Sequence, residues 1–382
     1  MDKISFLNNI ALITVFVMLL FSFFLLTVHR KNKLPNRLFA CFLLLTAFDL
    51  SGFFSYRYFD TSLDFEIFRM TTSLLIMPFF YLYVKSVCFS DFRLRAKDLV
   101  HSLTFVASNL LFTPKVYLGK AIEKNEFSVQ FSKTAAVQAF HLLAEVQYFF
   151  YIVLILLLLK KYKAIYRENF TDSDASSYKW LFQMTVFFLA AHCIFLFKSA
   201  LKYTDYRELF DWSNVIIGIV AMIISCWFVL KALNNPELFK GVDSEMILVN
   251  EIILPSKLNT IENGAEKEKT ERITIQINSI KKVVYEQELY LNPSLTIQEV
   301  SQKVSIPVRD LSLLINQHMN QHFFDFINEF RIQKAMQILK DQSKKKLTIL
   351  EILYEVGFNS KSSFNTAFKK HTNKTPTEFR NY

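Results

Sequence analysis

Four of the ionisable side chains within long apolar blocks are candidate functional residues, because an ionisable group there is costly unless it has a partner or a function. His141 and Glu145 are four residues apart, which places them on one face of a helix. Asp49 and His192 lie in two other blocks. These residues predict a polar pocket that binds a small-molecule ligand or senses protons. The alternative is a set of hydrogen bonds between helices that only fixes their packing.

The sequence contains no recognisable catalytic motif. It has no glycine-rich phosphate loop, no His-Glu-x-x-His and no Gly-x-Ser-x-Gly. Its four cysteines form no Cys-x-x-Cys pair and no cluster with histidine, which argues against a zinc module and a disulfide framework. We therefore expect a protein that is not an enzyme and that has no catalytic residue, metal site or cofactor.

The elements that carry the four ionisable residues are long apolar segments. Hydrophobic residues make up 52% and charged residues 20% of the 382 residues, and the apolar ones are concentrated before residue 230. The charged fraction is below that of typical soluble proteins. Seven blocks predict membrane spans, of which the fourth is the shortest because Asn109 and Pro114 interrupt it. The predicted spans are residues 6–28, 38–55, 67–87, 99–112, 135–159, 180–197 and 209–230.

The distribution of positive charge predicts the orientation of these spans. The first, third and fifth loops carry 13 lysines and arginines, and the opposite side carries 9. Because short cytoplasmic loops are enriched in these residues, we expect the N-terminus outside and the residues after 230 in the cytoplasm.

The region after residue 280 contains an internal repeat. The run LTIQE at residues 295–299 recurs as LTILE at residues 347–351, an offset of 52. Each copy has the Thr-x-x-Glu capping box of a helix start, and a short helix and a tight turn follow. A second helix follows at an offset of 53, with Asn320 and Asn373 placed to end it in the left-handed conformation. The repeat predicts a tandem helix-turn-helix.

The segment between the two copies, residues 323–342, has apolar residues at helical spacing. It predicts one connecting helix of roughly 30 Å. Recognition helices about 34 Å apart would enter successive major grooves on one face of DNA. One chain could therefore contact two adjacent groove segments.

Residues 280–382 resemble the DNA-binding domain of the AraC/XylS family of bacterial transcription regulators. The most specific matches lie in the C-terminal part: EVGF at 355–358, SF at 363–364, FKK at 368–370 and TPTEFR at 375–380. The run FIN at 326–328, Arg331 and Ala335 match the family's connecting helix as well. With its apolar N-terminal half, the chain resembles the membrane-embedded branch of that family. The sequence departs from the family pattern at Pro307, Leu313, Leu353, Asn320 and Asn373.

The resemblance implies which side chains contact DNA. Arg with guanine and Asn with adenine are the strong pairings at base edges, whereas Lys contacts to phosphate position the protein. Residues 281–382 carry 15 Lys/Arg and 10 Asp/Glu, a net charge of +5 that favours DNA. The implied base contacts are Arg309 and Ser312 in the first recognition helix, and Lys361, Ser362, Asn365 and Thr366 in the second. The implied phosphate contacts are Lys369, Lys370 and Lys374.

These observations together predict an all-α protein of three parts. We expect a seven-helix transmembrane sensor bundle at residues 1–233, a cytoplasmic linker at 234–279 with a flexible tether at 257–270, and a tandem helix-turn-helix domain at 280–382. The expected function is a regulator in the inner (cytoplasmic) membrane that couples a membrane or periplasmic signal to the binding of double-stranded promoter DNA. Other expected partners are the lipid bilayer, a small-molecule ligand, a second copy in a homodimer, and RNA polymerase.

Two alternative functions fit the same sequence. One is a membrane transporter or enzyme that a cytoplasmic helical domain regulates, with Asp49, His141 and Glu145 as its working residues. The other is a regulator held at the bilayer by an anchor without sensory function.

Overall fold

The structure, a computed structural model, describes residues 3–28, 33–59, 61–89, 91–171, 176–201, 207–234 and 265–381. Within these ranges the chain is helical and contains no strand, which confirms the expected all-α class. The chain divides into two compact units. The first comprises Met1–Leu159 and Ser177–Asp243, and the second comprises Lys160–Ser176 and Ser244–Tyr382.

The first unit is built from long apolar helices and shorter ones between them. Its helices are α1 (Lys3–Thr27), α2 (Leu34–Leu50), α3 (Leu63–Thr72), α4 (Ile76–Cys88), α5 (Leu103–Phe112), α6 (Ala121–Val129), α7 (Ala135–Asn169), α8 (Ser176–Leu201) and α9 (Arg207–Asn234). The last ten residues of α7, from Lys160 onward, belong to the second unit.

Five helical segments among the described residues are long and apolar enough to cross a membrane. They are Ser5–Thr27, Leu34–Phe53, Leu63–Cys88, Ala135–Asn169 and Tyr178–Lys198, and a shorter apolar helix covers Val215–Trp227. Large apolar side chains point outward along these helices. Phe16, Phe23 and Leu142 are each 60% or more exposed, and such exposure is unusual for a protein surface in water.

The fourth predicted span does not form a single long α-helix. Residues Ala96–Ser102 form a 3₁₀-helix, α5 follows, and Thr113–Tyr117 form a π-helix. Its outward side chains are apolar, with Leu99 70% and Leu110 66% exposed, whereas Phe112 is buried. Pro114 lies in the π-helix, as the sequence indicated, whereas Asn109 lies within the regular helix α5 and does not interrupt it.

The second unit contains the predicted repeat. Its helices are α10 (Ala265–Glu286), α11 (Ile297–Val304), α12 (Val308–Leu313), α13 (Phe323–Lys340), α14 (Ile349–Glu355), α15 (Lys361–Thr372) and α16 (Pro376–Arg380). Helix α10 begins inside the segment predicted as a flexible tether, and residues 257–264 of that segment lie outside the described residues.

Two separate hydrophobic cores hold this unit together, and the connecting helix α13 contributes to both. Its first half places Phe323 and Phe326 in the core formed with α10, α11 and α12. Its second half places Ala335 and Ile338 in the core formed with α14 and α15. Each helix-turn-helix copy therefore has its own core.

Candidate nucleic-acid interface

The first helix-turn-helix copy comprises α11 and α12. The side chain of Thr296 accepts a hydrogen bond from the Glu299 N–H, and the Glu299 carboxylate accepts one from the Thr296 N–H, so the predicted capping box is present. Ser305 ends α11 with a φ of 55°, in the left-handed region. Helix α12 continues into a π-helix, Leu314–His318, and Asn320 follows with a φ of 51°.

The second copy, α14 and α15, repeats this construction. Thr348 and Glu351 form its capping box, and the hydrogen bond from the Thr348 N–H lowers the pKa of the Glu351 carboxyl. Gly357 makes the turn with a φ of 88°, and the Ser360 side chain caps the start of α15. Asn373 ends α15 with a φ of 56°, which confirms the predicted C-cap.

Helix α15 has one buried face and one polar, basic face. Phe364 and Phe368 are buried in the second core. The predicted DNA contacts lie on the remaining surface: Lys361, Ser362, Thr366, Lys369 and Lys370 are exposed, and Asn365 is half-buried. Because buried and exposed positions alternate at helical spacing, α15 can lie in a groove without disturbing its core.

Helix α12 exposes fewer of the predicted DNA-contacting side chains than α15 does. Arg309 is exposed near its start. Ser312 is only 8% exposed, and its backbone carbonyl and hydroxyl oxygens accept hydrogen bonds from the Asn316 amide at 3.0 and 3.4 Å. The structure therefore places Arg309 outward and Ser312 inward.

Asp325, in the connecting helix, joins two basic groups of the second unit. Its Oδ1 lies 2.8 Å from Lys370 Nζ, and its Oδ2 lies 3.1 Å from Arg167 Nη2. His322 lies close by; burial lowers its pKa, Arg167 lowers it further, and Asp325 opposes the shift. Lys370 is thus held by a carboxylate.

The four candidate residues of the apolar blocks, Asp49, His141, Glu145 and His192, do not all meet in one contact. His192 Nε2 lies 2.7 Å from Glu145 Oε2, and the ring of Tyr148 stacks on His192 with 3.6 Å between centroids. Asp49 lies beside Arg69, which donates to the Asp49 backbone carbonyl at 2.9 Å. The described residues contain no group of three or more His, Cys, Asp or Glu that could hold a metal ion.

Two capped helix-turn-helix copies, the second with a basic recognition helix, define a DNA-binding protein of the helix-turn-helix class. Residues 300–382 match the family described as "Helix-turn-helix domain". No solved structure matches the chain significantly.

Several curated regulators are similar in sequence. Over 131 residues the chain is 32% identical to an uncharacterized HTH-type transcriptional regulator in the cgkA 5' region of Pseudoalteromonas carrageenovora, covering 33% of this chain and 73% of that protein. Over 181 residues it is 25% identical to the HTH-type transcriptional regulator ArgR of Pseudomonas aeruginosa, covering 46% and 51%. Over 68 residues it is 35% identical to the probable transcription factor PqrA of Proteus vulgaris, covering 16% and 56%.

The chain belongs to the AraC family of helix-turn-helix transcriptional regulators. It is a DNA-binding transcriptional regulator and not an enzyme. It spans about half the length of the Pseudomonas aeruginosa relative.

The second unit contains a helix, α10, and long-range contacts that were not predicted from the sequence. The spacing of Ile273, Ile277, Ile280 and Val284 in α10 could have predicted an amphipathic helix there. The pairing of Lys370 with Asp325, 45 residues away, had no sequence signal.

Proposed function

We propose that this regulator is anchored in the inner membrane and couples a membrane or periplasmic signal to the binding of specific promoter DNA. The observation that carries the proposal is that one chain has an apolar surface suited to lipid and a basic surface suited to DNA. The first unit exposes large apolar side chains on helices long enough to cross a bilayer. The second unit exposes a basic recognition helix.

The membrane anchor comprises seven spans in this proposal. Five helices have the required length and apolarity. The outward Leu99, Leu103 and Leu110 support a fourth, irregular span, because apolar side chains facing lipid need no protein partner. Helix α9 has 28 residues, enough for a seventh. An odd number of spans puts the two ends of the chain on opposite sides, and the excess of Lys and Arg in the first, third and fifth loops supports recognition helices in the cytoplasm with the N-terminus outside.

Specific DNA contacts come mainly from α15. Lys361 and Asn365 are one helical turn apart, and Asn can pair with adenine through two hydrogen bonds. Ser362 and Thr366 lie beside them on the exposed surface. In α12, Arg309 is the exposed side chain that can reach guanine, whereas Ser312 must first turn outward to reach a base.

The sensory part of the proposal rests on Glu145 and His192. A short contact between a carboxylate and an imidazole joins α7 to α8 inside the apolar unit. Such a pair is costly among lipid-facing helices and is typical of a functional site. A ligand or proton that separates the two groups would shift DNA binding only if it binds two states of the helices with different affinity.

Genome-wide DNA occupancy of the full-length chain in its native membrane tests the proposal. We expect discrete promoter sites for the wild type and loss of these sites in the double variant Lys361→Ala/Asn365→Ala. The matched control, Lys345→Ala/Asn381→Ala, changes two exposed residues of the same types outside α15 and should keep the sites. Sites that persist in the first variant contradict the role of α15. A chain that an alkaline wash releases from the membrane contradicts the anchor.

A further inference from the structure

Arg331 lies at the boundary between the two cores of the second unit. The side chain is 1% exposed, and its guanidinium lies over the ring of Phe358 at 5.4 Å. A buried guanidinium is costly unless its five N–H donors find acceptors. Three of the acceptors come from the DNA-binding region itself: Tyr290 O at 2.7 Å, Asn292 O at 2.7 Å and Asn328 Oδ1 at 3.2 Å.

The other two acceptors come from Thr171, which is distant in sequence. Arg331 Nη1 donates to the Thr171 carbonyl oxygen at 3.3 Å, and Nη2 donates to the Thr171 hydroxyl at 3.2 Å. Thr171 is itself buried, and both its N–H and its hydroxyl donate to Leu295 O. With Thr171 in place, all five donors of this buried cation have acceptors.

Two neighbours of Thr171 extend the contact. Phe170 pairs with Thr296 in an antiparallel backbone bridge. Arg167 forms its ion pair with Asp325 at 3.1 Å and lies over the ring of Phe324 at 6.0 Å. We call residues 167–171 the docking segment. It contacts Leu295 and Thr296, at the start of the first helix-turn-helix, and it contacts Asp325 and Arg331 in the connecting helix α13.

The docking segment contacts the joint between the two helix-turn-helix copies. The carbonyl oxygens of Tyr290 and Leu291 lie against Gly357, where an added Cβ would be 2.7 Å from each of them. Arg331 binds one of these carbonyls and stacks against Phe358, the next residue of the same turn. The placement of the second copy relative to the first therefore depends on groups that Arg331 holds.

The docking segment also continues directly from an apolar helix. Helix α7 runs from Ala135 to Asn169, and its N-terminal part carries Glu145. We propose that the docking segment is a built-in effector surface: when it binds Arg331 and Asp325 it fixes the two helix-turn-helix copies in their DNA-binding arrangement, and movement of α7 undocks it. This inference rests on the proposed function, whose regulation it specifies.

Whether docking strengthens or weakens DNA binding follows from the free-energy cost of ordering the two helix-turn-helix copies. Without Thr171, water must solvate two donors of Arg331. The contact between the two helix-turn-helix copies beside Gly357 then becomes less ordered. DNA must then order the two copies as it binds, and this lowers the affinity. Docking therefore strengthens DNA binding. It leaves sequence preference unchanged, because the docking segment contains none of the proposed base contacts.

The first test measures the DNA affinity of the full-length chain in nanodiscs of phosphatidylethanolamine and phosphatidylglycerol. The probe is a labelled DNA fragment with a site from the occupancy experiment, beside a scrambled fragment. Thr171→Val removes the hydroxyl at nearly constant volume, and Arg167→Gln removes the ion pair. We expect each to weaken specific binding about fivefold, the size expected for the net contribution of one typical hydrogen bond. Thr377→Val and Lys160→Gln, at exposed positions, are the matched controls.

The second test detects docking itself. Residues paired in an antiparallel bridge have Cα atoms close enough for a disulfide. The double variant Phe170→Cys/Thr296→Cys should therefore crosslink on oxidation and then bind DNA at least as tightly as its reduced form. The two single-cysteine variants report any crosslink to the four native cysteines.

Three results overturn the inference: no crosslink, loss of DNA binding on crosslinking, or wild-type affinity in both Thr171→Val and Arg167→Gln. A wild-type chain that binds no DNA specifically contradicts the proposed function and the inference together. Unchanged variants beside a wild type that binds DNA contradict only the inference.

Discussion

Lys370 Nζ lies 2.8 Å from Asp325 Oδ1, so one of the basic groups of the second recognition helix already has an anionic partner. Lys369, its neighbour, is exposed and forms no ion pair within 4.0 Å among the described residues, although its charge helps to lower the pKa of the Glu378 carboxyl. The two lysines therefore differ in what a DNA phosphate must displace. An ammonium held by a carboxylate gains less when it meets phosphate.

This difference predicts unequal effects on the salt dependence of DNA binding. The slope of log affinity against log salt concentration is negative for DNA binding. Lys369→Ala should make this slope shallower by about 0.9, the value for one phosphate contact. Lys370→Ala should make it shallower by clearly less. Both variants should bind the specific and the scrambled DNA fragment more weakly by the same factor, because phosphate contacts carry no sequence information. Anisotropy titrations at several salt concentrations measure the slopes. Equal slopes for the two variants would show that DNA breaks the pair with Asp325.

The turn of each helix-turn-helix copy needs a residue with a positive φ, and the two copies use different residues there. Ser305 takes a φ of 55° in the first copy, and Gly357 takes a φ of 88° in the second. Only at Gly357 do backbone oxygens, those of Tyr290 and Leu291, occupy the space that a Cβ would need. The first position therefore demands only a left-handed conformation, whereas the second also demands the absence of a side chain.

Opposite effects on stability follow for substitutions at these turns. Gly357→Ala should destabilise the DNA-binding domain by about 2 kcal/mol or more, because it adds a clash to an unfavourable φ. Ser305→Gly should be neutral or stabilise it by up to about 1 kcal/mol, because glycine removes the left-handed strain. Urea unfolding of the full chain, followed by pulse proteolysis of the C-terminal domain, measures both. A harmless Gly357→Ala would mean that the two copies do not meet at this turn.

The local construction of the DNA-binding domain could be predicted because it depends on neighbours in sequence. A capping box needs Thr and Glu three residues apart, and the left-handed positions of Asn320 and Asn373 follow from a helix that must end there. The contacts of Arg331 with Thr171 and of Asp325 with Arg167 could not be predicted in this way. They join groups more than 150 residues apart, and neither Thr171 nor Arg167 carries a local pattern that indicates a partner.

The apolar half shows a similar limit. Hydropathy predicts the existence of the long helices, because composition alone determines whether a helix tolerates lipid. It did not predict that α7 continues ten residues beyond the fifth predicted span, to Asn169. The basic residues that suggest a loop at residues 160–167 are also good helix formers, and their charge says nothing of helix termination.

The capping boxes predict how stability changes with acid. The hydrogen bond from the Thr348 N–H lowers the pKa of Glu351 below its ordinary value of 4.5. A carboxyl whose pKa is lower in the folded state stabilises it above the ordinary pKa, and this contribution is lost as the pH falls through the folded value. Glu378, capped by Thr375, has its pKa lowered for the same reason. The stability of the domain should therefore decline below about pH 4.5.

Glu351→Gln tests the origin of this decline. Glutamine can still accept the Thr348 N–H hydrogen bond but cannot titrate, so the variant should lose some stability at pH 7 and show a weaker dependence between pH 5 and pH 3. Glu271→Gln, at an exposed position inside α10, should keep the wild-type dependence. Pulse proteolysis in urea at several pH values gives the free energy of unfolding for each chain. An equally steep decline in Glu351→Gln would assign the acid sensitivity to other carboxyls and remove the capping box as its cause.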